Sequence, residues 1–169
     1  MPFDTKSLLW SGLPETHFRN RPIRPLEQHG PHCVSTVLAM LSGTTPEQFQ
    51  GVVNTQDPVS WSEALKEYGL KLAYCPHDNR RVKFYAPELV ALNDLFTVSY
   101  STPPEPAEVW RDPRPKDGWV CGSHIVILQG GDIIDPARGD RVPALEHRCM
   151  ERFTKRIFRV LPASHPRGL

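Results

Sequence analysis

The chain has 169 residues, 39% hydrophobic and 23% charged, the proportions of an ordinary compact domain and not of a disordered or fibrous protein. Lys and Arg number 20 against 19 Asp and Glu, a formal charge of +1 that argues against a dedicated polyanion binder, so nucleic acid is not the expected partner. No run approaches the roughly 20 apolar residues that span a bilayer, and the amino terminus lacks a basic stretch followed by an apolar one. With Cys33, Cys75, Cys121 and Cys149 scattered outside any paired spacing, reduced thiols in a cytoplasmic, membrane-free setting are expected.

The 18 prolines predict many irregular connections and short elements instead of a helical bundle. Residues 1–27, with Pro14, Pro22 and Pro25 among Arg19, Arg21 and Arg24, have no sustained apolar period and read as an extended lead-in to a single domain over 28–169. From Pro31 the pattern changes. Val34, Val37, Leu38 and Leu41 follow helical spacing and Gly43 is a stop signal, which places Cys33 at a helix amino terminus. Thr45-Pro46-Glu47-Gln48 and Ser60-Trp61-Ser62-Glu63 each read as a capping box opening a short helix.

Gly69 ends the third helix, and Leu70–Tyr74 alternates like a half-buried strand. Pro87–Leu92 reads as another short helix and Phe96–Tyr100 as a strand. The proline-rich stretch 102–118 cannot build a ladder and reads as a surface loop. Ile125–Leu128, Gly130-Gly131 and Ile133–Asp135 then form a strong hairpin signal. A short helix over Leu145–Phe153 and a last strand over Ile157–Leu161 complete the reading. Helices first and antiparallel strands later predict an α+β domain with a cleft between its halves.

A thiol attacks as thiolate, and the unpaired N–H groups and dipole at a helix amino terminus favour that form, which singles out Cys33. An imidazole partner would complete an ion pair, and an acid would orient the imidazole. His124 opens the apolar strand, and in a hairpin turning at Gly130-Gly131 it falls near Asp135. A register error of one residue would send Asp135 to the other face. Acyl transfer also needs oxyanion donors, for which the Cys33 N–H and the upstream amide of Gln28 are available.

Gln28-His29-Gly30-Pro31-His32-Cys33, Gly122-Ser123-His124-Ile125-Val126-Ile127 and Ile134-Asp135-Pro136-Ala137-Arg138-Gly139 together resemble the motifs of papain-like cysteine peptidases, most closely the C39-like branch that includes bacteriocin-leader processing domains. The resemblance runs from about Gln28 to Val142, although Val34 stands where the family usually has Gly after the nucleophile. It implies a helical subdomain against an antiparallel sheet, and hydrolysis of peptide or isopeptide bonds by Cys33, His124 and Asp135 with Gln28 at the oxyanion. No cofactor or metal is implied, and the partner is a protein or peptide substrate.

Other readings stay open. A papain-like module that binds without cutting, or a thiol-dependent amidase, acyltransferase or deubiquitinase-like enzyme, would carry the same residues. His29, His32 and Cys33 with Cys121 and His124 also offer metal-like spacings, less well explained than a Cys33–His124 pair. His17, His77, His147 and His165 have no evident partner, and Cys75 and Cys149 read as structural thiols. The basic segment Arg138–Arg159 reads as a solvated face, with docking of an acidic protein or nucleic acid as the alternative. Trp61, Trp110 and Trp119 suit core or cleft lining equally.

Overall fold

The computed structural model describes residues 15–103 and 122–169. Of the loop expected over 102–118 only Thr102 and Pro103 are therefore described, and Cys121, Trp110 and Trp119 lie outside the described residues. The described chain is α+β. Helices α1 (Cys33–Ser42), α2 (Pro58–Lys66) and α3 (Val82–Leu92) accompany strands β1 (Leu70–Tyr74), β2 (Leu95–Ser101), β3 (Ser123–Gln129), β4 (Asp132–Asp135), β5 (Asp140–Pro143) and β6 (Thr154–Pro162). The strands form one sheet in the order β1-β6-β2-β3-β4-β5, with every pairing antiparallel.

Alternation along the strands gives the sheet two apolar faces. Ile125 and Ile127 of β3, with Ile134 and Val160, pack under Val37, Leu38 and Leu41 of α1 and Trp61 and Leu65 of α2. Val126, Leu128, Val98 and Ile133 point the other way, to Val82, Tyr85 and Leu89 of α3 and to Cys149 and Met150. Val37, Leu38 and Leu41 are fully buried, each contributing roughly 1.5–3 kcal/mol of transfer free energy. Truncating Leu38 to Ala should thus cost about 2–5 kcal/mol.

The helix boundaries show where local signals lost to packing. α1 stops where expected, with Gly43 at φ 73° donating its N–H to Ala39 O. Thr45–Gln48 makes only a three-residue 3₁₀ turn without a side-chain cap. In α2 the cap is Asp57, which accepts the Val59 N–H, with Pro58 in the first turn. Ser60 instead bonds back to the Asn54 and Asp57 carbonyls. α3 starts five residues before the expected Pro87, because Val82, Tyr85, Ala86 and Leu89 bury one helical face that outweighs the hydrogen bond Pro87 cannot make.

Strand β5 was not expected, since Asp140–Pro143 carries a single β-former and its outer residues are half-exposed. Residues 145–153 form no α-helix. Two 3₁₀ turns, Ala144–Glu146 and Arg148–Glu151, are separated by His147 in extended conformation, whose ring accepts the Cys149 N–H. In the β3–β4 turn only Gly130 has positive φ, at 58°.

From Glu15 onward the lead-in is fastened to the domain. Asp94 accepts the N–H groups of His17 and Phe18 at 3.0 and 2.7 Å, and Gln129 donates to the Phe18 and Arg21 carbonyls. Ile23 is buried against the α1 face.

Candidate active site

Cys33 is the first residue of α1, nearly buried, with His32 as an N-cap that offers no side-chain bond. The thiol carrier therefore sits at the positive end of the helix dipole, as its sequence context predicts. α1 packs on β3, so this helix end meets the strand that carries His124.

The β3–β4 register pairs Ile127 with Ile134. One further step sets Asp135 opposite Val126, and His124 becomes its diagonal neighbour on the same face. The side chains use that proximity: His124 Nε2 lies 2.7 Å from Asp135 Oδ1. The same oxygen accepts the Ala137 N–H at 2.8 Å, which ties the carboxylate to its own turn. The turn is closed by Gly139 at φ 65°, where a Cβ would stand 2.9 Å from Glu27 Cβ. Glycine alone fits both demands.

Asp135 has a further partner that sequence reasoning missed. His147 Nε2 lies 2.7 Å from Asp135 Oδ2, while His147 Nδ1 accepts the Cys149 N–H at 3.0 Å. That backbone bond leaves Nε2 as the protonated nitrogen of His147, so Nε2 donates to the carboxylate. No sequence spacing announces the contact, because His147 arrives through two irregular turns that fold back over the sheet. Burial by itself would raise the Asp135 pKa, but hydrogen bonds from His124 and His147, with their electrostatic attraction, outweigh it and hold the carboxyl well below the usual range.

An ionised carboxylate can only accept, so His124 carries its proton on Nε2. Its Nδ1 is buried and has no hydrogen-bond partner among the described residues. A basic nitrogen left without a donor inside a protein costs about 1–3 kcal/mol, and such exceptions mark candidate functional groups. The His124 ring stands edge-on to Tyr100 at 5.7 Å between centroids.

Cys33 and His124 both line one narrow cleft of about 30 Å³, together with Trp61, Ser99, Lys155 and Arg156. The strand alternation assigns the His124 ring to the α3 side of the sheet, with Val126 and Leu128, whereas Cys33 belongs to the α1 side. The two residues thus approach the cleft from different layers. A larger cavity of about 360 Å³ opens behind Asp135 and His147, bounded by Arg138, Glu146 and Arg148.

Gln28 is buried at the Asp135–Pro136 turn, donating its N–H to Pro136 O at 2.7 Å and its Nε2 to Gly30 O at 2.8 Å. It does not line the cleft with Cys33. The structure therefore brings His124 and Asp135 into contact, sets Cys33 across a shared cleft, and leaves Gln28 beside the turn. As for metal ligands, the one cluster of three among the described residues is Glu15, His17 and His165, and His29, His32, Cys33 and His124 form none. No helix among the described residues is long and apolar enough to cross a membrane.

No protein-family model, curated protein or solved structure matches the chain.

Proposed function

We propose that the chain is a cysteine peptidase of papain-like fold, cutting peptide or isopeptide bonds in a reducing, cytoplasm-like compartment. The observation that carries this reading is the buried His124 Nδ1: an imidazole held by Asp135 through Nε2 whose other nitrogen has no partner among the described residues and whose residue shares a cleft with Cys33. The reaction requires the His124 ring to reach the α1 side of the sheet; there Nδ1 takes the thiol proton and Cys33 Sγ attacks the substrate carbonyl. As the tetrahedral intermediate collapses, the C–N bond breaks and the Nδ1 proton goes to the amine. Water, losing a proton to Nδ1, then cleaves the thioester and restores the thiol. Asp135 holds the ring and balances its positive charge. Oxyanion stabilisation falls to the Cys33 N–H at the helix end, with Gln28 as the upstream amide only if its side chain turns from Gly30 toward the cleft.

The test is the alkylation rate of Cys33 by iodoacetamide, read by peptide mapping across about pH 5 to 9, with His124→Ala as control. An isolated thiol titrates near 8.5. Fast labelling at low pH that disappears in the control is the expected result. Labelling that rises only near pH 8.5 and ignores the control would overturn the reading.

One observation favours a second reading, a papain-like module that binds without cutting. The His124 side chain is fully buried and turned to the α3 side of the sheet, where His124, Asp135 and His147 also make a self-contained structural network. That module would show the slow, ordinary titration.

A further inference from the structure

Adjacent residues of a strand normally point to opposite faces. At Lys155 and Arg156 of β6, both of which line the cleft that holds Cys33, that alternation is interrupted. The cause lies in the register: Ser99 of β2 faces Arg156, yet Tyr100 faces Thr154, so Lys155 is an extra residue in β6. This is a β-bulge, a device that re-aims side chains and is frequent beside active sites.

Among the described residues, no carboxylate answers the two cations and no Asp or Glu stands in the cleft wall, whose remaining polar members include Ser99, Ser123 and Gln56. Among the described residues, neither Lys155 nor Arg156 forms an ion pair, although Arg81, Lys83, Arg141 and Arg159 each do. A bulge that turns two unanswered cations toward one thiol-bearing cleft is poorly suited to a merely solvated face.

We propose that Lys155 and Arg156 form an anion subsite beside Cys33, selecting peptide substrates with an acidic side chain next to the bond attacked. The proposal rests on Cys33 being the cleft nucleophile. Arg156 suits bidentate recognition of a carboxylate, with Lys155 supplying a mobile point charge. Specificity would then come from a pair of residues that the bulge, and not the apolar alternation of β6, brings together.

A pair of small alkylating reagents tests the subsite without a known substrate. Iodoacetate and iodoacetamide displace iodide by the same attack of a thiolate on carbon, and differ in that iodoacetate is an anion. The ratio of their rates on Cys33 therefore cancels the thiolate fraction and reports the local field. Two cations lining the cleft should raise that ratio about five- to tenfold above the value for 2-mercaptoethanol, a neutral thiol, in the same buffer. Most of the excess should be lost in the Lys155→Gln/Arg156→Gln double variant, the remainder being the field of the helix amino terminus and His124, and 1 M salt should remove most of it. A wild-type ratio equal to that of 2-mercaptoethanol, or an excess unchanged in the double variant, would overturn the subsite.

The outcome separates from that of the peptidase reading. Slow labelling with ordinary titration and a raised ratio would leave the anion site standing while removing the catalytic pair. Protection then identifies the source of the anion: a blocked Glu-Glu dipeptide should slow iodoacetamide labelling at least twofold at constant ionic strength, whether or not inorganic phosphate does so too. Protection by phosphate alone, or by neither, would overturn the assignment to acidic peptides.

Discussion

His147 donates its Nε2–H to Asp135 Oδ2 at 2.7 Å, on the carboxylate oxygen opposite the one that His124 engages. The two histidines are not equivalent donors. His147 is fixed as the Nε2–H tautomer because its Nδ1 accepts the Cys149 N–H, whereas His124 Nδ1 has no partner among the described residues. On the peptidase reading, His147 is thus a positioning residue, acting on His124 through the carboxylate between them.

An asymmetric carboxamide exposes that difference. In Asp135→Asn two fixed donors compete for the single carbonyl oxygen, the Ala137 N–H on the Oδ1 side and the His147 Nε2–H on the Oδ2 side, and when the oxygen turns to His147 the amide NH₂ faces His124 Nε2. His124 then accepts at Nε2 and carries its proton on Nδ1, where the base is needed. On the peptidase reading, turnover should fall about 10²- to 10⁴-fold while the fold persists, as a wrong-tautomer substitution does in a Ser-His-Asp triad. Adding His147→Gln frees the amide to rotate and should restore at least tenfold of that loss. Kinetics of the single and double variants check this, and an unrescued double variant removes the positioning role.

Asp135 also links stability to pH. Its pKa in the folded chain lies below the ordinary carboxyl value, which is near 3.9 in an unfolded chain. Its contribution is therefore full above about pH 4 and is lost as pH falls through the lower folded-state value. Asparagine does not titrate in this range. The melting-temperature gap between wild type and Asp135→Asn should be widest at pH 5–7 and narrow progressively below about pH 4. A gap independent of pH would mean that the carboxylate charge does not contribute.

Asp94 and Arg159 form an ion pair with both side chains fully buried, Arg159 Nη2 lying 2.6 Å from Asp94 Oδ2. Asp94 further accepts the His17 and Phe18 N–H groups, and Arg159 donates to Glu15 O. Removing one member of such a pair costs about 3–5 kcal/mol. Asp94→Ala should lose that much stability by urea unfolding and should release the lead-in. Trypsin cleavage after Arg19, which unlike Arg21 and Arg24 is not followed by proline, should accelerate in the same variant; unchanged digestion would detach the pair from the lead-in.

The parts legible in the sequence were those fixed by local pattern. Val34, Val37, Leu38 and Leu41 with Gly43 specify α1, and the Ile125–Leu128 run with Gly130-Gly131 specifies the hairpin whose register carries His124 toward Asp135. The parts missed depend on contacts between distant segments. α3 tolerates Pro87 because four residues of one face are buried. Residues 144–151 forgo an α-helix for turns that bring His147 to Asp135. Lys155 enters the cleft through a bulge that no apolar period encodes.

If Cys33 is the nucleophile, Cys33→Ala should abolish turnover, by at least about a thousandfold, with an unchanged circular dichroism spectrum. Asp135→Ala should cost less, since the thiol and imidazole both remain. Residual activity in Cys33→Ala equal to wild type would end the mechanism.

Cys75 supplies the internal reference for every thiol measurement. It is fully buried, and that burial pushes its pKa up to about 12 despite the attraction of nearby Arg159. Its thiolate is thus negligible from pH 5 to 9, and its neutral form has no path to reagent in the native chain. Native-state mapping should find Cys75 unlabelled on the timescale that modifies Cys33, and labelled at an ordinary rate once guanidinium unfolds the chain. Were Cys75 and Cys33 to react together at every pH, the labelling would report global opening of the domain, and a fast Cys33 rate would no longer be a property of the cleft.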